Sequence, residues 1–347
     1  MLALRKLAAV PGVALCDVAT PVAARPREVL IAVAATGLCG TDLHIADWSG
    51  GYDSMTGSMP VTLGHEFAGV VASTSASACL QPGTRVVVRP SVTCGSCVAC
   101  QRGDRDDCTG RRGIGIHRDG GFAAFVVAPA DNCIVLPAHL DLEIAALAEP
   151  FTVCAQAIAR SGLKPGARVL ILGPGPIGQG IAMLASAANA GRIVAIGRHD
   201  APRLTVLEQL TDATCIDCAD GSLADALRES GEAAPFDVVF EATGKPSLVA
   251  EALAYLKRQG TLVVCGIHAS PATLDLTGIV RREQTITGTY RATPAMWTDV
   301  ITYLAANADK VRPMITHRLA LSDVMMGLDL ARRRVASKVM IVAPPYA

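Results

Sequence analysis

Two different hydrophobic rhythms divide the chain. Up to about residue 153, apolar residues come in short alternating runs with frequent Gly and Pro between them, as in REVLIAVAA, FAGVVAS, TRVVVRP and FAAFVVAP. Short strands punctuated in that way predict an irregular β-barrel. From about 154 to 293, apolar strands such as RVLIL, RIVAI, FDVVF and GTLVV alternate with helical stretches. Strand–helix alternation predicts an α/β unit with a doubly wound parallel sheet. The stretch from 294 to 347 adds MITHRLALSDVMMGLDLARR and a last apolar strand, KVMIVAP.

Composition supports this reading. Hydrophobic residues make up 51% of the 347 and aromatics only 4%, which suits buried parallel strands and excludes a disordered chain. No charged residue occurs from Val169 to Gly191, but Gly173, Pro174, Gly175, Pro176 and Gly178 interrupt the run, so it reads as strand, turn and helix and not as a membrane span. The 31 basic and 31 acidic residues cancel, leaving no field to attract nucleic acid or an anionic membrane face. The opening MLALRKLAAVPGVALCD is broken by Pro11 and Gly12 and reads as a first strand, not an export signal. Twelve cysteines without such a signal point to the reducing cytoplasm, where clustered thiols bind metal more often than they form disulfides.

Four of the twelve stand together in CGSCVACQRGDRDDC: Cys94, Cys97, Cys100 and Cys108. Two-residue gaps let a tight turn aim successive thiolates at one point, and Cys108 returns from a polar loop to close a tetrahedron. That is the pattern of a closed, structural zinc site; an iron–sulfur cluster is the alternative. Four sulfurs leave no open position, so chemistry belongs elsewhere. GLCGTDLH supplies Cys39, Thr41, Asp42 and His44, LGHEFAG supplies His65 and Glu66, and LAEPF supplies Glu149. Thiol, imidazole and carboxylate together leave a fourth position for substrate, as catalytic zinc requires.

In RVLILGPGPIGQGIAMLA, a strand leads through Gly173, Gly175 and Gly178 into a helix, spaced G-x-G-x-x-G. The glycines allow a tight turn and close approach of pyrophosphate to backbone N–H groups at a helix N-terminus. The next strand ends at Gly197, where an NAD-preferring site usually carries an acid, followed by Arg198, His199, Asp200 and Arg203. Two guanidinium groups in place of a carboxylate suit a 2′-phosphate, which favours NADP(H). Asp200 keeps NAD(H) open as the alternative.

These motifs carry a resemblance. PREVLIAVAATGLCGTDLH, PVTLGHEFAGVV, the four-cysteine loop, LAEPF, LGPGPIG, FEATG, RREQTITGTY and SKVMIVAP, in that order, resemble the zinc-dependent medium-chain alcohol dehydrogenase family, nearest its sorbitol and threonine dehydrogenase branch. The resemblance implies a GroES-like catalytic domain over 1–153 with a C-terminal return over 294–347, and a Rossmann domain over 154–293. It implies two zinc ions per chain, the catalytic one on Cys39 and His65 with Glu66, Glu149 or water as third ligand. Of these we expect Glu149, with Glu66 close enough to exchange, while Asp42 orients the histidine. By the same resemblance Pro176 and Ile177 flank the glycine turn, and Ile177, Thr243, Gly244, Cys265, Gly266, Ile267, Thr289 and Tyr290 line the nicotinamide half of the cofactor.

The implied reaction is hydride transfer between a secondary alcohol, of polyol or amino alcohol type, and NAD(P), with the matching ketone on the other side. Thr41 is placed to take the hydroxyl proton and pass it through cofactor ribose to His44; a purely structural His44 is the alternative. Trp48 and Tyr52 could shape the pocket or simply pack, and Gln156 departs from the histidine common in relatives. A non-catalytic relative or a zinc-free quinone reductase would lack the ligands found here. A homo-dimer or homo-tetramer is expected.

Overall fold

The structure is a computed structural model that describes residues 1–75, 77–219 and 221–343. In the second lobe six strands pair in parallel, in the order Thr214–Asp217, Arg192–Gly197, Arg168–Leu172, Phe236–Glu241, Leu256–Val264, Thr285–Gly288. Strand alternation explains why both faces are covered. Val169 and Ile171 enter one core with Ile181, Ala185 and Phe240, whereas Leu170 and Leu172 enter the other with Leu223, Leu227 and Leu253. The order reverses beside Arg168–Leu172, so a crevice opens at the carboxyl ends of the strands, where such sheets bind ligands. The glycine turn lies at that crevice. The helix Pro176–Ala187 starts there, with Pro176 in its first turn and Gly175 as its N-cap.

The first lobe is antiparallel. Glu28–Gly37 lies between Glu66–Thr74 on one side and, on the other, Phe125–Pro129 along its first half and Lys338–Val342 along its second. The last strand of the chain therefore closes the first lobe, next to the parallel strand Ile315–Leu319. Val29, Ile31, Val33, Phe67, Val71, Val86 and Val126 pack on one face of this sheet. The helix Ala148–Ser161 runs through residue 153, where the sequence suggested a division, and packs Cys154 and Ala157 against the parallel sheet. No helix among the described residues is long and apolar enough to cross a membrane.

Close packing under the glycine turn fixes its residues. A Cβ on Gly178 would sit 1.9 Å from the carbonyl oxygen of Gly173, a backbone atom with no freedom to withdraw. Gly178→Ala should therefore lower stability by at least about 1–3 kcal/mol, the usual cost of overpacking, read as a lower urea midpoint; an unchanged midpoint would show that the turn can relax.

Candidate metal and cofactor site

Cys39 is the N-cap of the helix Gly40–Asp47, which follows directly on the strand Glu28–Gly37. Its backbone N–H donates to Asp42 Oδ2 at 2.9 Å. The other oxygen of this fully buried carboxylate lies 3.8 Å from His65 Nδ1, close enough for charge attraction but too far for a hydrogen bond, and neither atom has a hydrogen-bond partner. Asp42 thus braces the loop that presents the thiol and lies beside the ring of His65. Glu66 starts the next strand, opposite Gly37. A Cβ on Gly37 would come within 2.3 Å of Glu66 Oε2, so only glycine leaves room for that carboxylate to turn inward.

One donor atom each from Cys39, His65 and Glu66 lies within 4.8 Å of the others. Glu149, the carboxylate favoured from the sequence, is not in this compact group. Lys338 explains the difference, because its buried ammonium donates to Glu66 Oε2 at 2.6 Å and to the Leu38 carbonyl at 3.1 Å, holding Glu66 beside the thiol. Burial disfavours the Lys338 charge, but Glu66, Cys39 and Glu149 outweigh it and hold the ammonium above its ordinary range. His65 behaves likewise: burial works against its charge, yet Cys39, Asp42 and Glu149 push it well above the usual imidazole range. Thiol, imidazole and carboxylate meet at one buried spot, a donor set that suits a divalent cation such as zinc.

The remaining expected residues are spread around this group. Thr41 bonds to the Tyr52 phenol, which burial above all, with Cys39, Tyr290 and Asp42 nearby, pushes up to about 12. His44 Nδ1 is 2.8 Å from Ser49 Oγ. Trp48 is a packing residue: its ring joins the cluster around Leu4, Ile45 and Met55, with the Lys6 ammonium 5.0 Å from its centre. Gln156 has a buried side-chain oxygen with no hydrogen-bond partner.

The four cysteine sulfurs also converge, all within 4.8 Å. Backbone N–H groups point at them, from Cys94 to Cys108 Sγ at 3.3 Å and from Cys97 to Cys94 Sγ at 3.4 Å. Backbone N–H donors stabilise thiolate: those of Cys100 and Thr109 lower Cys97 to about 5 and those of Ser96 and Cys97 lower Cys94 to about 7, while desolvation lifts Cys100 to about 12. Within this loop Val98–Gln101 forms one helical turn carrying Cys100. All twelve cysteines are free thiols.

A cavity of about 640 Å³ opens at the carboxyl ends of the parallel strands, lined by Gly173, Gly175, Gly197, Arg198, Arg203 and Thr243 among others. A Cβ built on Gly175 would meet nothing within 4 Å, so the turn presents bare backbone to open space, as a pyrophosphate needs. Cys265, Gly266 and Ile267 lie beyond this cavity, packed on the next turn: Cys265 and Gly266 donate their N–H groups to the Glu241 carbonyl, and the Glu241 side chain accepts from the N–H groups of Thr243 and Gly244. Thr289 N–H donates to Val264 O, and Tyr290 is exposed.

Residues 25–138 match the alcohol dehydrogenase GroES-like domain and residues 176–306 the zinc-binding dehydrogenase family. The chain is 32% identical over 347 residues to an L-threonine 3-dehydrogenase of Saccharopolyspora erythraea, covering 98% of each, and 35% identical over 325 residues to one of Streptomyces avermitilis, covering 93% and 94%. A zinc-binding dehydrogenase of Sinorhizobium meliloti 1021, solved bound to NADP, superposes with a TM-score of 0.87 at 29% identity over 99% of both chains. The chain belongs to the zinc-dependent medium-chain alcohol dehydrogenase family. It is an NAD(P)-dependent enzyme of alcohol oxidation and ketone reduction, and no observation favours the non-catalytic or zinc-free alternatives.

Sequence reading missed two residues of this alcohol dehydrogenase's site. Lys338 was signalled only as a lone charge in an apolar strand. Glu241, fully buried, braces the turn after its strand and faces His268 Nε2 at 3.2 Å. One expected residue has an additional employment: Arg203, which lines the cavity, donates to the carbonyls of Ala336 at 2.8 Å and Ala331 at 3.1 Å, tying the second lobe to the C-terminal segment.

Glu149 gives a pH signature. Burial, opposed by His65 and reinforced by Glu66, lifts its carboxyl to about 7. An acid raised on folding keeps its proton where the unfolded chain has released it, so the metal-free enzyme should lose stability as pH rises from the ordinary carboxylate range towards 7. Glu149→Gln should flatten that fall in urea midpoints measured across the window; an identical slope would remove Glu149 as its source.

Proposed function

We propose that this dehydrogenase oxidises a polar secondary alcohol of the polyol or amino alcohol type, uses NADP(H) in preference to NAD(H), and carries two zinc ions. The observation that carries the reading is the convergence of the Cys39 thiol, the His65 imidazole and the Glu66 carboxylate at one buried point. These three would hold the catalytic ion, with Glu149 able to take the place of Glu66; Cys94, Cys97, Cys100 and Cys108 would hold the structural one. The threonine dehydrogenases among its relatives, whose name specifies a hydroxyl beside an amine-bearing carbon, support the substrate class.

Zinc in that site would act as a Lewis acid on the substrate oxygen, and a bound nicotinamide would exchange the hydride. The chain's own contributions follow from position. Thr41, at the first turn of Gly40–Asp47, accepts the substrate hydroxyl proton and releases it toward His44, whose ring is held by Ser49 at the surface. Tyr52, too weak an acid to ionise near neutral pH, holds the Thr41 hydroxyl in place as a neutral phenol. Asp42 keeps His65 oriented. Gly173, Gly175, Pro176 and Gly178 take the pyrophosphate, Arg198 the 2′-phosphate with Arg203 behind it, and Ile177, Thr243, Gly244, Cys265, Gly266, Ile267, Thr289 and Tyr290 the nicotinamide half. Leu276 and Val280, exposed on the helix preceding the edge strand Thr285–Gly288, support a homo-oligomer built on that edge. The cytoplasm suits its free thiols.

Elemental analysis should find two zinc ions per chain. Cys39→Ala should lose one of them and all turnover with the fold intact, whereas Cys94→Ala should lose the other and chiefly stability; no bound zinc in the wild type would overturn the scheme. Thr41→Ala should lower kcat by about 10²–10⁴, and full retained activity would remove Thr41 from proton transfer. With a panel of secondary alcohols, KM for NADP should lie below that for NAD, and a clear preference for NAD would refute the cofactor reading.

A further inference from the structure

The mouth of the cofactor cavity carries a guanidinium that the parallel sheet does not supply. Arg334 lies between the helix Val324–Arg332 and the strand Lys338–Val342, the strand that pairs with Glu28–Gly37 in the first lobe. It nevertheless lines the cavity together with Gly173, Gly197 and Arg198. Its backbone stands in the left-handed region, at φ 58°, where a non-glycine residue is uncommon. That conformation follows directly on the helix end and turns the side chain across to the second lobe, where Nη1 donates to the Arg198 carbonyl at 3.3 Å.

The groups around it decide what it can bind. An acid at Gly197, where it would accept from a ribose 2′-hydroxyl, would force its neighbours to shift, because a Cβ there would lie 2.8 Å from Asp200 Cβ and 3.0 Å from Pro174 Cγ. Asp200 is buried between two arginines, Oδ1 3.6 Å from Arg203 and Oδ2 3.6 Å from Arg334, too far for hydrogen bonds, and Oδ1 has none. Its charge is thus offset by guanidinium on both sides. Arg203 is committed to the carbonyls of Ala331 and Ala336. Arg198 spends one donor on the Gly221 carbonyl at 3.0 Å. Arg334 keeps most of its five donors free, and its side chain is 41% exposed. Of the acids on the far wall, Asp225 is held by Ser222 and Arg228, and Glu251 lies on the opposite helix, Pro246–Tyr255.

We propose that Arg334 is a specificity-determining residue that grips the 2′-phosphate of NADP(H) from the C-terminal segment, facing Arg198, so that this phosphate bridges the two lobes. This rests on the NADP(H) reading given above. A bidentate guanidinium–phosphate contact is charge-assisted and absent with NADH, so its loss should fall on one cofactor alone.

Direct titration of the zinc-loaded full-length protein with NADPH, NADH and 2′,5′-ADP, followed by calorimetry without turnover, tests it. Arg334→Ala and Arg334→Gln should weaken NADPH and 2′,5′-ADP by about tenfold or more and leave NADH unchanged, which also reports an intact fold. Arg333→Ala, removing a neighbouring arginine that pairs with Asp329, should change neither. Arg334 variants that keep the wild-type ratio of NADPH to NADH affinity, or lose both cofactors alike, overturn the role of Arg334 while leaving the NADP(H) reading standing. A wild type that binds NADH as tightly as NADPH overturns that reading, and this inference with it.

Discussion

The buried contact between Glu66 and Lys338 is the interaction on which the arrangement turns. It joins residues 272 positions apart, and both side chains are almost wholly withdrawn from water. Neither charge could remain there alone, since an unpaired buried ion costs several kcal/mol, on the order of 3–5 when one partner is removed. The pair is therefore satisfied only when the last strand of the chain lies beside Glu28–Gly37. Docking of that strand, orientation of Glu66 and the position of the Leu38 carbonyl just before Cys39 are consequences of one ammonium finding its acceptors.

The parallel sheet imposes the complementary constraint. Its strand order reverses beside Arg168–Leu172, so the glycine turn opens on a crevice and not on a neighbouring strand. The turn is held from beneath by backbone contact between Gly173 and Gly178, and from the side by Thr243, whose methyl group would touch a Cβ on Gly173 at 2.9 Å. Donors for a dinucleotide are thus fixed before any ligand arrives, which spares the ordering cost that a flexible loop would incur.

Much of this was legible in the sequence, and the rest was not for physical reasons. The two hydrophobic periods announced the two lobes because side-chain alternation reports burial directly. Cysteine and histidine beside glycines announced metal chemistry because few structural roles need those types together. The grouping of Glu66, and not Glu149, with Cys39 and His65 was not legible, because Glu66 is held there by Lys338, remote in sequence and recognisable only as a charge in an apolar strand. Arg198 and Arg203 looked equivalent in the sequence, yet the carbonyls that occupy Arg203 belong to residues more than a hundred positions later. Trp48 offered both packing and pocket readings; contact with Lys6 and the surrounding core assigns it to packing. The helical turn at Val98–Gln101 is too short to leave a periodic signal.

The helix Ala148–Ser161 has a mechanical consequence. Glu149 stands in its first turn beside the candidate metal ligands, and one turn further on Cys154 donates its thiol to the carbonyl of Ile177, at 3.3 Å, in the helix that begins at the glycine turn. Gly180, against which Cys154 is pressed, leaves no slack between the two helices. A stiff strut therefore links the buried thiol, imidazole and carboxylate to the glycine turn, so that Glu149 and the dinucleotide cradle are braced against one another through Cys154.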